Sequence, residues 1–211
     1  MEERKRKTKL MYLAVLVSFF YVNDFLFMPV RNYLEWLSVD YTVRIAAIAV
    51  ILYVIKKNLS TPQEFGLVKI GLKQGLIWSV LLSVVGVAID QWGAGFLKNL
   101  SPIFRPATFP TITNPYVKIF DLTAGIALVS VTEELIFRGY FYTVLKDVMK
   151  NPGVMIAVSS ILFGLSHWSG GLNIIITATL WAVLPMYVMR RTGSVVPALV
   201  AHFVTDFVAF V

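Results

Sequence analysis

Cysteine is absent from this sequence of 211 residues, and histidine is nearly so, with only His167 and His202. A chain without thiols forms no disulfide bond, no Fe–S cluster and no thiolate zinc site, and it has no cysteine nucleophile. We also find no internal repeat and no polar linker that would divide the chain. The sequence therefore predicts a single domain over residues 1–211.

Charged residues are scarce as well, at 15% of the chain, whereas 57% of the residues are hydrophobic and the mean hydropathy is +0.73. A soluble domain carries about 25% charged and roughly 45–50% apolar residues. One globular core cannot hide such an excess, because a chain of this size still exposes much of its surface. Most of that surface must face lipid, so we expect an integral membrane domain.

Apolar segments recur along the chain at lengths near the roughly 20 residues that cross a bilayer core. They predict an all-α, polytopic transmembrane bundle of about seven helices. Residues 60–73 mix charged and apolar side chains and predict a short interfacial helix. Residues 93–115 form the longest predicted loop. The predicted spans are 10–30, 41–56, 74–92, 116–147, 152–168, 172–189 and 195–211. The first span has no small-x-small cleavage site, so we expect it to stay in the protein.

The net charge of +7 comes from basic residues at the ends of the apolar segments, a pattern typical of membrane topology rather than of a nucleic-acid groove. Seven spans put the N-terminal cluster and residues 56–73, 146–150 and 190–191 on one side. The other side receives fewer basic residues, namely Arg31, Arg44, Lys98, Arg105 and Lys118. We therefore expect a multi-pass cell-membrane protein with a cytoplasmic N-terminus and an external C-terminus. We interpret Asp24 and Asp90, near the outer span ends, as interfacial.

The fourth span holds an unusual group of charges, Glu133, Glu134 and Arg138. Each charge inside a membrane helix costs about 2.5–3.5 kcal/mol on insertion scales, so each needs a reason. Glu134 and Arg138 are four residues apart, which predicts an ion pair on one helix face. Glu133 points about 100° away and has no partner in its own helix.

The turn Asn151-Pro152-Gly153 predicts that the fourth and fifth spans form an antiparallel hairpin. Glu133 lies 18 residues before Asn151, and His167 lies 16 residues after it. At a rise of about 1.5 Å per residue, their heights differ by about 3 Å. The sequence thus predicts that Glu133 and His167 meet inside the membrane.

Three spaced motifs resemble those of a known family. They are Glu133-Glu134-x-x-x-Arg138, Phe163-x-x-x-His167 and His202-x-x-x-Asp206. Together, in this order and in hydrophobic spans, they resemble the CPBP family, which contains the CAAX prenyl endopeptidases and the Abi-type bacteriocin-processing or self-immunity proteins. The resemblance places a protease core at about 116–211.

This resemblance implies a glutamate-dependent intramembrane endopeptidase without a cofactor or metal. Glu133 would be the general base, with help from His167, while His202 and residue 206 would stabilise the oxyanion. Glu134, Arg138 and Phe163 would support the site. The implied partners are the bilayer and a peptide or lipidated protein, and the CAAX enzymes suggest a site that opens to the cytoplasm.

Position 206 departs from the eukaryotic CAAX enzymes, which have asparagine there. This chain has Asp206, and an ionised aspartate cannot donate to an oxyanion, whereas its spacing of four from His202 suits a carboxylate that orients the imidazole. This difference weakens the expectation of a CAAX substrate more than the expectation of the chemistry.

Other interpretations stay open at this point. A buried histidine is usually a core residue, Glu134 and Arg138 can be a purely structural pair, and Asp206 can be a helix-end residue. A zinc-dependent membrane protease could use both histidines and a carboxylate, although no His-Glu-x-x-His helix is present. Internal inverted repeats would favour a proton-coupled transporter, and the sequence contains none that we can find. A scaffold, immunity or regulatory protein would need no complete catalytic set.

Overall fold

The protein is described by a computed structural model that covers residues 2–93 and 109–211. Within these ranges the chain is helical and contains no strand. The seven apolar helices are α1 (Glu2–Phe27), α2 (Tyr33–Lys56), α3 (Leu72–Ala88), α4 (115–145), α5 (Pro152–Leu165), α6 (Leu172–Thr192) and α7 (Val196–Phe210). The predicted all-α class and helix number are confirmed. Residues 94–108 of the predicted 93–115 loop lie outside the described residues.

Four of the described helices, α1, α2, α3 and α6, are long and apolar enough to cross a membrane. Helices α5 and α7 are apolar but have only 14 and 15 residues. Large apolar side chains stay exposed on the outer face of α3, among them Leu72, Val80 and Val84. Soluble proteins rarely expose such continuous apolar surface, so this face suits lipid. The chain is therefore an integral membrane protein.

Helix α2 begins earlier than predicted, at Tyr33 rather than at residue 41. The Asn32 side chain caps it by accepting a hydrogen bond from the Glu35 N–H. Asp40 and Arg44, four residues apart, form a buried ion pair inside the helix. The sequence placed Arg44 at the outer end of the span 41–56, but Arg44 is buried inside the bundle, where its ion pair with Asp40 makes the charge tolerable.

Helix α4 is continuous but irregular. It contains two wide turns with π-helical hydrogen bonding, Asp121–Gly125 and Glu134–Tyr140. Such turns are rare, and they occur frequently at functional sites. The second wide turn carries the Glu134-to-Arg138 motif.

The segment between α2 and α3 differs from the predicted interfacial helix. Only one 3₁₀ turn forms, Pro62–Phe65, and Phe65 is fully buried. Its ring stacks on Tyr140 with centroids 4.4 Å apart, and the backbone of Gly139 packs against the Phe65 carbonyl, where any Cβ would clash. The segment is therefore anchored in the bundle through Phe65, because burial of an aromatic ring in a pocket made by glycine is favourable, while much of the rest of the segment is exposed.

The two ends of the bundle are identified by contacts between distant segments. At the end that we call the basic end, Lys9 donates to Glu64 and the Val195 N–H donates to the Gly66 carbonyl. The start of α1, the loop after α2 and the α6–α7 turn therefore lie together. At the opposite end, the far end, Tyr41 donates to Asp121, so the start of α4 lies beside the first half of α2.

Candidate active site

Glu133 lies at the centre of a buried polar cluster, with only 3% of its surface exposed. Its Oε1 accepts a hydrogen bond from Arg44 Nη1 at 2.9 Å. Its Oε2 has no hydrogen-bond partner among the described residues, and lies 3.8 Å from Nε2 of both His167 and His202. The predicted meeting of Glu133 and His167 is observed, and His202 joins them.

His167 lies just beyond α5, which ends at Leu165 rather than at residue 168 as predicted. Its Nδ1 is 2.9 Å from the carbonyl oxygen of Phe163. A carbonyl only accepts, so Nδ1 carries a proton. The other ring nitrogen, Nε2, therefore faces Glu133.

His202 is held from two sides by carboxylates. Its Nδ1 lies 2.8 Å from Glu134 Oε1, and its Nε2 lies 3.4 Å from Asp206 Oδ2. The sequence predicts Asp206 as the orienting group, and the two residues are neighbours as their spacing indicates. However, Glu134 makes the shorter contact, and a short contact at Nδ1 fixes the ring more firmly. Glu134 thus holds the imidazole directly, a contact that the sequence did not predict.

Glu134 also forms the predicted ion pair with Arg138, at 3.2 Å between Oε2 and Nε, and both side chains are fully buried. The Arg138 guanidinium lies 3.9 Å from the ring centroid of Phe163 and 5.0 Å from that of Trp181. These are cation–π contacts, which partly replace lost hydration. Phe163 also contacts both imidazoles, with centroids 4.8 and 6.1 Å apart. Phe163 therefore packs against Arg138 and both histidines.

Arg44 is the principal residue that sequence reasoning missed. Its Nε donates to both carboxylate oxygens of Asp40, at 2.9 and 2.8 Å, and Asn23 donates to the same carboxylate at 2.9 Å. Its Nη1 contacts Thr132 as well as Glu133. The pairing of Asp40 with Arg44 at a spacing of four, next to an apolar run, was the signal that could have identified a buried charge.

The prediction that Asp24 is interfacial is wrong, because Asp24 is buried in the bundle. Its Oδ2 accepts the Ser169 N–H at 2.8 Å, which fixes the turn that follows His167. A buried carboxylate needs such a partner, because its desolvation is costly. Asp90, in contrast, is partly exposed at the far end of α3.

A cavity of about 400 Å³ leads to these polar groups. Glu133, His167, His202 and Asp206 all line it, and much of its wall is apolar, with Phe27, Trp36, Ile174 and Trp181 among its residues. Ligand sites commonly combine apolar walls with a few convergent polar groups. The arrangement can therefore hold a mainly apolar molecule against an acid–base cluster.

Metal coordination has a weaker structural basis. Across residues 2–93 and 109–211, no group of three or more His, Asp or Glu side chains has an arrangement that could hold a metal ion. The predicted zinc alternative would need a rearrangement of the side chains around Glu133.

Comparison with known proteins gives one finding. Residues 115–208 match the family model described as type II CAAX prenyl endopeptidase Rce1-like. The match supports the predicted family over these residues. The matched segment spans nearly all of α4 to α7 and contains all three motifs, but it covers a little under half of the chain, and Arg44 lies outside it. Searches among curated proteins and solved structures found no match.

Proposed function

We propose that the protein is an intramembrane endopeptidase that cleaves a peptide bond with a water molecule activated by Glu133 and His167. The observation that carries the proposal is the position of Glu133 Oε2, which is buried, unpartnered and 3.8 Å from two imidazole nitrogens. A buried polar atom needs a partner, and a water molecule between these three atoms would provide it. The match to a protease family supports the same chemistry.

In the proposed reaction, the water oxygen forms a bond to the scissile carbonyl carbon. Its proton passes to Glu133, and His167 Nε2 accepts a second hydrogen bond that aligns the water. The carbon–nitrogen bond then breaks, and Glu133 returns the proton to the leaving amine. The products are a carboxylic acid and an amine, which exchange the remaining proton of the water to give a carboxylate and an ammonium group, and no covalent intermediate with the protein forms.

His202 would stabilise the oxyanion of the tetrahedral intermediate. In the doubly protonated imidazolium, Nδ1 would donate to Glu134 and Nε2 would carry a second proton that faces the space beside Glu133 and can be donated to the developing negative charge. Asp206 would act through His202, because an ionised carboxylate has no proton to donate. Arg138 and Phe163 would keep Glu134 and the rings in place.

The proposed substrate is a peptide segment of a membrane-associated, lipidated or unlipidated protein. Apolar walls of the cavity, within a bundle that crosses the bilayer, support this class. The basic residues at one end support a topology with that end in the cytoplasm.

The first experiment is cleavage of a library of lipidated and unlipidated peptides by the purified protein in detergent. Replacement of Glu133 by Gln keeps the shape of the side chain but removes the base, so we expect a loss of about 10²–10⁴-fold in kcat. Replacement of His167 by Ala should also abolish most cleavage. The matched control is Glu3→Gln, which alters an exposed carboxylate in the same way and should leave the rate unchanged.

Each assay is repeated with a zinc chelator. Cleavage that resists the chelator and is lost in Glu133→Gln supports the proposed mechanism. Cleavage that the chelator stops would favour the zinc alternative, and full activity in Glu133→Gln would refute the mechanism. A membrane scaffold or immunity protein would keep its cellular phenotype in Glu133→Gln.

A further inference from the structure

Two residues that line the cavity, Asn23 and Trp36, each keep one polar atom that has no role in the proposed reaction. Asn23 Oδ1 and Trp36 Nε1 are both buried, and neither has a hydrogen-bond partner among the described residues. Buried polar groups are usually paired, because an unmade hydrogen bond costs the full desolvation of the group. These two atoms therefore point to a ligand that supplies one donor and one acceptor.

The orientation of Asn23 is fixed by the nitrogen of its side-chain amide. This Nδ2 donates to Asp40 Oδ1 at 2.9 Å, and both oxygens of the same carboxylate accept from Arg44 Nε. An ionised carboxylate only accepts, so the amide nitrogen must face Asp40 and the amide oxygen must face away from it. Arg44 also donates to Glu133 Oε1 at 2.9 Å. One chain of hydrogen bonds thus sets the direction of two free acceptors beside the cavity, Asn23 Oδ1 and Glu133 Oε2.

Trp36 lies on the same side of α2 as Asp40 and Arg44, since it precedes them by four and eight residues. At about 1.5 Å per residue, its level along the helix is about 6 Å from Asp40 and about 12 Å from Arg44. Its ring packs against Phe27 and Phe109, with centroids 6.3 and 5.5 Å apart. These contacts hold the indole in the apolar wall, while its N–H stays an unused donor.

An extended peptide offers the groups that these two atoms lack. A residue in a β-strand can use its N–H and its C=O towards the same neighbour. We infer that Asn23 and Trp36 form a backbone-binding subsite, in which Asn23 Oδ1 accepts the N–H of one substrate residue and Trp36 Nε1 donates to its C=O. This inference rests on the proposed protease function and deepens it, because it names two substrate-binding residues that lie outside the family match.

The subsite lies away from the bond that is cut. Arg44 marks the level of Glu133, Asn23 contacts Asp40 one turn before it, and Trp36 lies a further turn away. These levels span about 6–12 Å, and an extended chain advances about 3.3 Å per residue, so the bound residue is about two to four positions from the scissile bond. The N–H groups of a helix are already paired, and proline has none. The substrate class is therefore a segment that is extended at this position, and neither a helix nor a proline there would be accepted.

The experiment measures binding of a single blocked residue, N-acetyl-leucine N-methylamide, to the purified protein in detergent. The signal is the NMR resonance of the Trp36 indole N–H, which is assigned by its loss in Trp36→Phe. We expect a saturable downfield shift, because the indole N–H gains a carbonyl acceptor. The comparison ligand is the ester analogue, in which oxygen replaces the leucine N–H. It should bind about three- to tenfold more weakly, since it offers Asn23 no donor.

Two variants complete the test. Asn23→Leu removes the acceptor at nearly constant size, so the amide and the ester should bind to it equally. Trp92→Phe is the matched control for loss of an indole, because Trp92 is exposed and does not line the cavity, and it should leave both affinities unchanged.

The absence of a saturable shift would overturn the inference, and so would equal affinities of the wild type for the amide and the ester, a result that needs no variant. A preference for the amide that persists in Asn23→Leu would also overturn it. None of these measurements depends on cleavage. Binding of the amide by a protein that cleaves no peptide would therefore count against the protease function and leave the subsite in place.

Discussion

Replacement of Arg44 by Gln tests whether a helix outside the family match completes the active site. Arg44 is the group that binds Oε1 of Glu133, and this contact leaves Oε2 directed towards the two histidines. Glutamine keeps a donor but loses the charge and the reach of the guanidinium. We expect Glu133 to lose its fixed orientation, so that kcat falls while KM changes little.

The size of the effect follows from the contacts of Arg44. A hydrogen bond to a charged group contributes about 1.5–3 kcal/mol. If that stabilisation is needed in the transition state, its loss lowers kcat by about tenfold to a hundredfold, since about 1.4 kcal/mol corresponds to a factor of ten. Stability should also fall, by about 3–5 kcal/mol, because Asp40 and Glu133 stay buried without their cation.

A second substitution separates the two effects. Asp40→Asn in the Arg44→Gln background removes one of the uncompensated charges, so thermal stability in detergent should recover in part while kcat stays low. Arg44→Lys keeps the charge and should restore part of kcat, and Arg31→Gln is the matched control at an exposed arginine. Equal recovery of stability and kcat in the double variant would refute a positioning role and leave Arg44 as a structural residue only.

Three further predictions concern the surroundings of the site. Asp24→Ala should lower kcat and the free energy of unfolding, because the Ser169 N–H loses its acceptor, at a cost of about 1–3 kcal/mol. Asp24→Asn keeps an acceptor, so equal kinetics for the two variants would contradict this prediction. Gly139→Ala should lower the unfolding temperature, because the added methyl group overpacks the core and costs about 1–3 kcal/mol of folding free energy. Gly71→Ala should not lower it, because the space around its Cβ position is open. Burial raises the pKa of Glu64, but hydrogen bonds from Lys9 and from a backbone N–H outweigh it and hold the pKa below the ordinary 4.5. The stabilisation by Glu64 is therefore present above about pH 4.5 and is lost as the pH falls through the lowered value, so Glu64→Gln should flatten the acid limb of a plot of unfolding temperature against pH.

Local spacing was sufficient to predict several parts of the site. The contact of Glu134 with Arg138 and the approach of His202 to Asp206 follow from a separation of four residues on a helix. The turn at Asn151 predicted the antiparallel pairing of α4 with α5. Counting residues from that turn then predicted that Glu133 and His167 lie at nearly the same height, and the two side chains meet. These features depend on one helix or one hairpin, where periodicity carries the geometry.

Contacts between distant helices were not predictable in the same way. Arg44 and Glu133 are 89 residues apart, and no periodicity relates them. The predicted start of α2 at residue 41 also hid Arg44, because a charge at a helix end needs no partner. The burial of Phe65 depends on the missing side chain of Gly139, which only the folded structure brings next to it. Such contacts require the arrangement of the whole bundle.

Four fully buried side chains pack on the basic-end side of Glu133 and line no part of the cavity, namely Phe65, Phe137, Tyr140 and Met186. A cavity that is closed at its inner end has no separate exit for products on that side, so both fragments leave through the opening that admitted the substrate. The next substrate cannot bind until they have diffused out. If the chain cleaves peptides as proposed, each cleavage product would therefore compete with the intact peptide for the same space and act as a competitive inhibitor.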